Sequence, residues 1–179
     1  FAFFLPQGLY HWIAVILSVS AARYALWWVW SRSGQAAGRA PAWEAWFVAG
    51  ATAAGGAWGV GPSILSVPAG DARSMLLVGA VLAVSAVAAV TLAASLRALL
   101  GFLLAALLPT AWALYRTGGL VEACGSLVVL AGLASLVMVG RGSNRIIATS
   151  IESQQQLSQA VRQIDAARER ALAASHAKT

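Results

Sequence analysis

Five stretches of this chain hold almost no charged side chains. An α-helix of about 20 apolar residues can cross a hydrocarbon core roughly 30 Å thick. The sequence therefore predicts membrane-spanning helices at residues 9–30, 43–65, 74–95, 98–115 and 120–139. Only three formal charges fall in them, and of Arg23, Glu44 and Glu122 only Arg23 lies well inside its span.

The composition agrees with a membrane protein and excludes several other classes. The chain is 60% hydrophobic and only 10% charged, whereas soluble domains are about 25% charged. A single cysteine, Cys124, excludes an internal disulfide and a cysteine zinc site. No metal site, phosphate loop or catalytic triad is expected, so the chain should carry no catalytic residue and no cofactor of its own. No acidic residue lies deep in a span, which argues against a proton-coupled transporter.

The first six residues are apolar but too short to span a membrane. They include neither a basic segment nor a small-residue cleavage site, so they do not resemble a signal peptide. They are interpreted as the end of a truncated first span. The predicted fold is an all-α polytopic helical bundle of five full spans plus this end, followed by a cytoplasmic coiled-coil helix.

The arginines in the short loops predict the orientation in the membrane. Counting the truncated span as the first, one side carries Arg32, Arg39, Arg97, Arg141 and Arg145, and the other carries Arg73 and Arg116. Because Lys and Arg concentrate in cytoplasmic loops, the first side should be cytoplasmic. The expected location is the bacterial inner (cytoplasmic) membrane, with the C-terminus in the cytoplasm. The basic excess is then a topological signal, and no nucleic-acid partner is expected.

The chain changes character after Gly140, where the hydrophobic residues give way to a polar, helix-favouring tail. A heptad pattern runs through this tail at Ser150, Ser153, Leu157, Ala160, Ile164, Ala167, Ala171 and Ala174. It predicts a parallel homodimer seam. The seam contains only two bulky side chains. This favours a helix pair that can change its register and argues against a rigid structural coiled coil. A solvated helix with no partner is the alternative.

The end of the tail resembles the helix that enters the dimerisation and phosphotransfer domain of bacterial sensor histidine kinases. In that family an Ala-Lys-Ser/Thr step directly precedes the block with the phosphoacceptor histidine, and Ala177-Lys178-Thr179 matches it. His176 stands at a variable position of the motif and is not the phosphoacceptor. The membrane part is similar to the multi-span region of hybrid histidine kinases, through Gly56-Ala57-Trp58-Gly59 with Pro68 beyond and through Leu107-Leu108-Pro109.

This resemblance implies two regions: a transmembrane sensor at 1–140 and a signalling helix at 141–179 that leads to an output domain. The parent would use ATP and Mg to phosphorylate its own histidine and would pass the phosphate to a response-regulator receiver domain. A diguanylate cyclase or another output on the same membrane module is one alternative, and a small membrane transporter is another.

Arg23 is the centre of the expected ligand site. Ser20 and Trp27 lie three and four residues away on the same helix face. Together they could hold the anionic headgroup of a small lipid-like signal. Glu44 could instead form a structural pair with Arg23, or the arginine could extend to the interface without a partner. Trp58, among glycines, is either a pocket wall or a packing residue.

Small residues predict where helices approach closely. Gly55 and Gly59 form a GxxxG step, and Ser85, Ala89 and Ala93 form a second row of small residues. Pro109 should bend its span and leave one carbonyl without its usual partner.

Overall fold

The computed structural model describes residues 7–32, 40–64 and 72–176. Within them the chain forms α1 (Gln7–Arg32), α2 (Ala40–Gly59), α3 (Gly61–Ile64), α4 (Ala72–Thr91), α5 (Leu96–Arg116) and α6 (Leu120–His176). No strand occurs among the described residues. The predicted all-α fold is therefore confirmed.

Three of these helices are long and apolar enough to cross a membrane, namely Gly8–Arg32, Leu96–Arg116 and Leu120–Ile164. A shorter apolar helix covers Met75–Thr91. These helices indicate a membrane protein. The count of five full spans stays a prediction, and the truncated first span at residues 1–6 lies outside the described residues.

Helix α5 lies at the centre of the bundle, where it contacts α2, α4 and α6. Leu99, Leu103 and Leu107 are fully buried and follow one another at four-residue spacing, so they line one face of α5. Many large apolar side chains point outward instead; Leu120, for example, is 82% exposed. An apolar outer surface of this kind suits a hydrocarbon surrounding.

The GxxxG step brings the backbones of α2 and α5 together, as the sequence predicts. A Cβ atom added at Gly55 would lie 2.9 Å from the Cα of Phe102, and one added at Gly59 would lie 2.9 Å from the Cα of Ala106. The backbone at Gly59 also faces the carbonyl oxygen of Ala105. That carbonyl has no α-helical donor, because Pro109 sits four residues further on in α5.

The second row of small residues packs inside the same chain. Ser85 and Ala89 on α4 are buried, and so is Ala93 just beyond the end of this helix. Helix α6 approaches this region, since a Cβ atom at Gly140 would lie 3.8 Å from the carbonyl oxygen of Ala89 and would meet the side chain of Leu99. Small residues on both helices therefore allow this contact.

Two predicted helix boundaries are wrong. The second span was expected to run as one helix through residue 65, but α2 ends at Gly59 and a single separate turn, α3, follows. The proline at position 62 accounts for the break, because proline has no backbone N–H to donate to the carbonyl four residues earlier. The third span was expected to end at Ser95, with Leu96 and Arg97 as the connection.

In the structure α4 ends at Thr91, a turn covers 92–94, and Leu96 already belongs to α5. Ser95 is the N-cap residue of α5, and its side-chain oxygen accepts a hydrogen bond from the backbone N–H of Ala98 at 3.4 Å. An N-cap serine satisfies one of the free donors at a helix start, which fixes the start of α5 at this point.

Helix α6 continues without interruption from the bundle into the polar tail. It comprises 57 residues, which corresponds to about 85 Å at 1.5 Å per residue. Neither Gly140 nor Gly142 breaks it. The proposed boundary between a sensor region and a signalling region therefore falls within one helix.

Candidate ligand cavity and output helix

A cavity of about 740 Å³ lies between α1 and α2. Its walls are formed by Ser20, Arg23, Tyr24, Leu26, Trp27, Trp30, Trp43, Glu44, Phe47 and Gly50. Four of the five residues that the sequence marks as a ligand site are in this set. The structure thus brings Ser20, Arg23, Trp27 and Glu44 together around one space.

Arg23 reaches this cavity along the backbone of α2. A Cβ atom at Gly50 would lie 3.3 Å from the Cγ atom of Arg23, so the absence of a side chain at Gly50 makes room for the aliphatic stem of the arginine. Arg23 is half-buried in this position. Its guanidinium group therefore lies at the interface of two helices.

The alternative of a pair between Arg23 and Glu44 is not seen among the described residues. Among the described residues, Glu44 pairs with Arg97, with 3.6 Å between Glu44 Oε1 and Arg97 Nη1. Arg97 lies in the first turn of α5, and α2 packs more extensively on α5 than on α1. The two side chains are 49% and 80% exposed, so in water this pair would contribute about 0–1 kcal/mol to stability.

Trp58 is not brought to this cavity. Its ring stands edge-on to the ring of Trp12, with 5.4 Å between the ring centroids and an interplanar angle of 88°. The indole Nε1–H of Trp12 donates a hydrogen bond to the carbonyl oxygen of Ala57 at 2.7 Å. Trp12 is buried and links α1 to the end of α2. Trp58 is therefore a packing residue here.

A second cavity, of about 470 Å³, lies between α5 and α6. It is lined by Leu108, Ala111, Trp112, Tyr115, Ala123, Ser126, Leu127 and Leu130. None of these side chains carries a charge. The cavity offers apolar contact without an ionic group to select a ligand, so the cavity at Arg23 is the better candidate site.

Asn144 holds α6 to the turn between α4 and α5, and sequence reasoning missed this contact. Its side-chain Nδ2 donates hydrogen bonds to the carbonyl oxygens of Ala93 at 2.6 Å and Ala94 at 3.4 Å. Carbonyls just beyond a helix end lack intrahelical donors, so an amide side chain is well suited to satisfy them. The only asparagine in the chain, placed where the apolar sequence becomes polar, was the available signal.

We expect Asn144→Ala to loosen the turn between α4 and α5 while α6 stays helical. The loss of such a hydrogen bond costs about 1 kcal/mol, so local amide exchange should accelerate about fivefold. Hydrogen exchange with mass spectrometry on the purified chain measures this in peptides covering 91–96. Thr149→Ala is the matched control, because the Thr149 hydroxyl bonds only to carbonyls of its own helix. Equal exchange in both variants would contradict the role of Asn144.

The first part of the predicted dimer seam is free for a partner. Ser150, Ser153, Leu157, Ala160 and Ile164 are all exposed on α6. Ile146 is 69% exposed and extends the same alternating spacing towards the bundle. The side chains of Ala167, Ala171 and Ala174 lie outside the described residues, as does the Ala177-Lys178-Thr179 step. The coiled coil itself stays a prediction.

Together these elements define an all-helical membrane protein with a cavity at one end of its bundle and a long helix leaving that same end. Comparison with models of protein families, with curated proteins and with solved structures found no match to this chain.

Proposed function

We propose that the chain is the membrane sensing and dimerisation module of a two-component sensor histidine kinase. The observation that carries this proposal is the uninterrupted helix α6, which begins inside the apolar bundle and ends in a polar heptad segment. A continuous helix passes a rotation or a shift at one end directly to the other. Rigid helix shifts of this kind are a known means of switching.

A chain of contacts connects the cavity with α6. Glu44, in the cavity wall, pairs with Arg97 at the start of α5. Arg97 lies two residues beyond Ser95, which directly follows the turn held by Asn144. A change at Glu44 would therefore reach α6 through the turn between α4 and α5. This proximity supports coupling, and a two-state change of the turn would be its physical basis.

The sequence at the end of the tail supports a kinase output. The proposed parent autophosphorylates on histidine with ATP and Mg and relays the phosphate to a receiver domain. Reading the residues that follow Thr179 in the gene separates the possible outputs. A His-Asp/Glu-x-Arg block supports the kinase, whereas a Gly-Gly-Asp/Glu-Glu-Phe block would replace it by a diguanylate cyclase on the same module.

The proposed location is the bacterial inner membrane, with the end of the bundle that carries Arg97 and Arg145 in the cytoplasm. The charge bias of the loops supports this orientation. Asn144 and the polar tail lie at this same end, so α6 would enter the cytoplasm where its apolar sequence stops.

Cysteine crosslinking tests the transmitting helix in the chain itself. Single cysteines at Leu157 and Ile164 should form disulfides between two chains in the membrane, because these residues occupy the predicted seam. Cysteines at Gln155 and Gln163, which lie off the seam, should react much more slowly. The native Cys124 is exposed and must first be replaced by serine. Equal crosslinking at all four positions would overturn the parallel seam.

A further inference from the structure

The cavity between α1 and α2 contains the positive charge of Arg23. Glu44 is already paired with Arg97, and Arg23 makes no ion pair among the described residues. The neighbouring segment 33–39 contains no acidic residue either. A guanidinium group in an apolar setting is costly unless an anion or water compensates it. The cavity therefore has a charge to offer to an anionic ligand.

The walls around Arg23 are mainly aromatic. Trp27, Trp30, Trp43 and Phe47 contribute flat apolar surfaces to the same cavity. Cavities of roughly 300–1,000 Å³ with a few placed polar groups are typical of small-molecule sites, and this one has about 740 Å³. An occupant that suits it needs a small anionic head and an apolar body.

We infer that this cavity binds a single-chain amphiphile with a carboxylate or phosphate headgroup, drawn from the lipid phase. The headgroup accepts charge-assisted hydrogen bonds from the Arg23 guanidinium, whose planar fork matches carboxylate and phosphate oxygens. The hydrocarbon chain of the ligand lies against the aromatic walls of the cavity. A signalling role for this ligand rests on the proposed function. Its headgroup would share the cavity with Glu44, where the contacts that lead to α6 begin.

The position of Glu44 makes the ligand competent to change the bundle. The Glu44 carboxylate lines the cavity in which an anionic headgroup would bind to Arg23. The two negative charges would repel each other. Binding would favour a Glu44 side chain turned towards Arg97, which is not among the residues that line the cavity. The pair between Glu44 and Arg97 should therefore tighten in the occupied state.

Binding is measured on the purified full chain in phosphatidylcholine nanodiscs, with the fluorescent fatty acid cis-parinarate as the probe. The tryptophans of the cavity excite the bound probe by energy transfer. We expect saturable binding, displacement by hexadecanoate, and little displacement by hexadecanol, which has the same chain and no charge. Non-saturable uptake, or equal displacement by the acid and the alcohol, would overturn the inference without the need for any variant.

Variants then locate the site. Arg23→Gln should weaken probe binding about tenfold or more, since a charge-assisted bond is lost, and Arg23→Lys should weaken it less. Arg32→Gln is the matched control on the same helix, because Arg32 instead stacks over the ring of Trp28, 3.6 Å from its centroid. Unchanged binding in Arg23→Gln would place the ligand elsewhere.

Nanodiscs with added phosphatidylglycerol distinguish a single-chain ligand from an anionic phospholipid of the bilayer as the source of the headgroup. Unchanged probe binding supports a single-chain ligand, whereas displacement in proportion to the anionic phospholipid would overturn that assignment. The crosslinking of Leu157 and Ile164 needs no ligand, so a failure of the binding experiment leaves the test of the transmitting helix intact.

Discussion

Replacement of Ala160 and Ala167 by leucine is expected to tighten the dimer about a hundredfold or more. Both positions belong to the predicted seam, seven residues apart on α6. Each change adds three carbon atoms, worth about 0.8 kcal/mol apiece when buried. Even partial burial of the four new side chains in a dimer would exceed about 3 kcal/mol, which is a hundredfold in the dissociation constant. Leucine at these positions with Ile164 in the alternate layer also suits a two-stranded parallel coil.

Energy transfer between chains labelled at Cys124 measures this dissociation as the membranes are diluted with lipid. Gln155→Leu with Ser158→Leu is the matched control, because both residues are exposed and lie on the opposite face of the heptad. The seam variant should remain paired at dilutions that separate the wild type, and the control should not. In the proposed parent, the seam variant should also lock the output in one state. If both double variants strengthen the dimer equally, the tail associates through nonspecific hydrophobic contacts and the predicted seam is wrong.

Gly55→Ala is expected to destabilise the bundle by about 1–3 kcal/mol through overpacking. The new methyl group would meet the backbone of Phe102, whose carbonyl carbon and Cα would both lie 2.9 Å from it. Since these are backbone atoms, α2 and α5 must separate to accept the methyl group. Alanine also favours a helix over glycine by about 1 kcal/mol, so a net loss of stability would isolate the cost of the contact.

The adjacent Gly56→Ala supplies the comparison. Nothing lies within 4 Å of a Cβ atom at Gly56, so this variant should keep or slightly raise the unfolding temperature in detergent. The two variants are compared by thermal unfolding of the purified chain, with aggregation as the signal that reports unfolding. If both glycines tolerate alanine equally, the close approach of α2 to α5 is wrong.

Arg23, Ser20 and Trp27 illustrate how far the sequence could go towards the site. Their spacing of three and four residues puts them on one face of any α-helix, and this face lines the cavity. Glu44 lines the same cavity from α2, but its ion-pair partner was not predicted. Glu44 has Arg23 and Arg97 as candidates, and only the packing of α2 against α5 selects Arg97.

Contacts between distant parts of the chain were equally hidden. The bond from Asn144 to Ala93 joins residues 51 positions apart, and no local pattern specifies such a separation. Trp12 lies near one end of α1, where an interfacial position would be expected, but Gly61 at the start of α3 leaves space for its ring, which is therefore buried. Trp58 packs edge-on against Trp12 and therefore does not line the cavity at Arg23.

The sequence by itself determined the all-helical class, the apolar helices and the small residues at which they approach, because these depend on composition and on a period of 3.6 residues. Helix ends were less accessible, since caps such as Ser95 act through single hydrogen bonds within an apolar run. The tertiary structure decided which charges pair, which aromatic rings are buried, and where α6 is held. Those outcomes depend on which helix faces meet, and the period of an isolated helix carries no information about its neighbour.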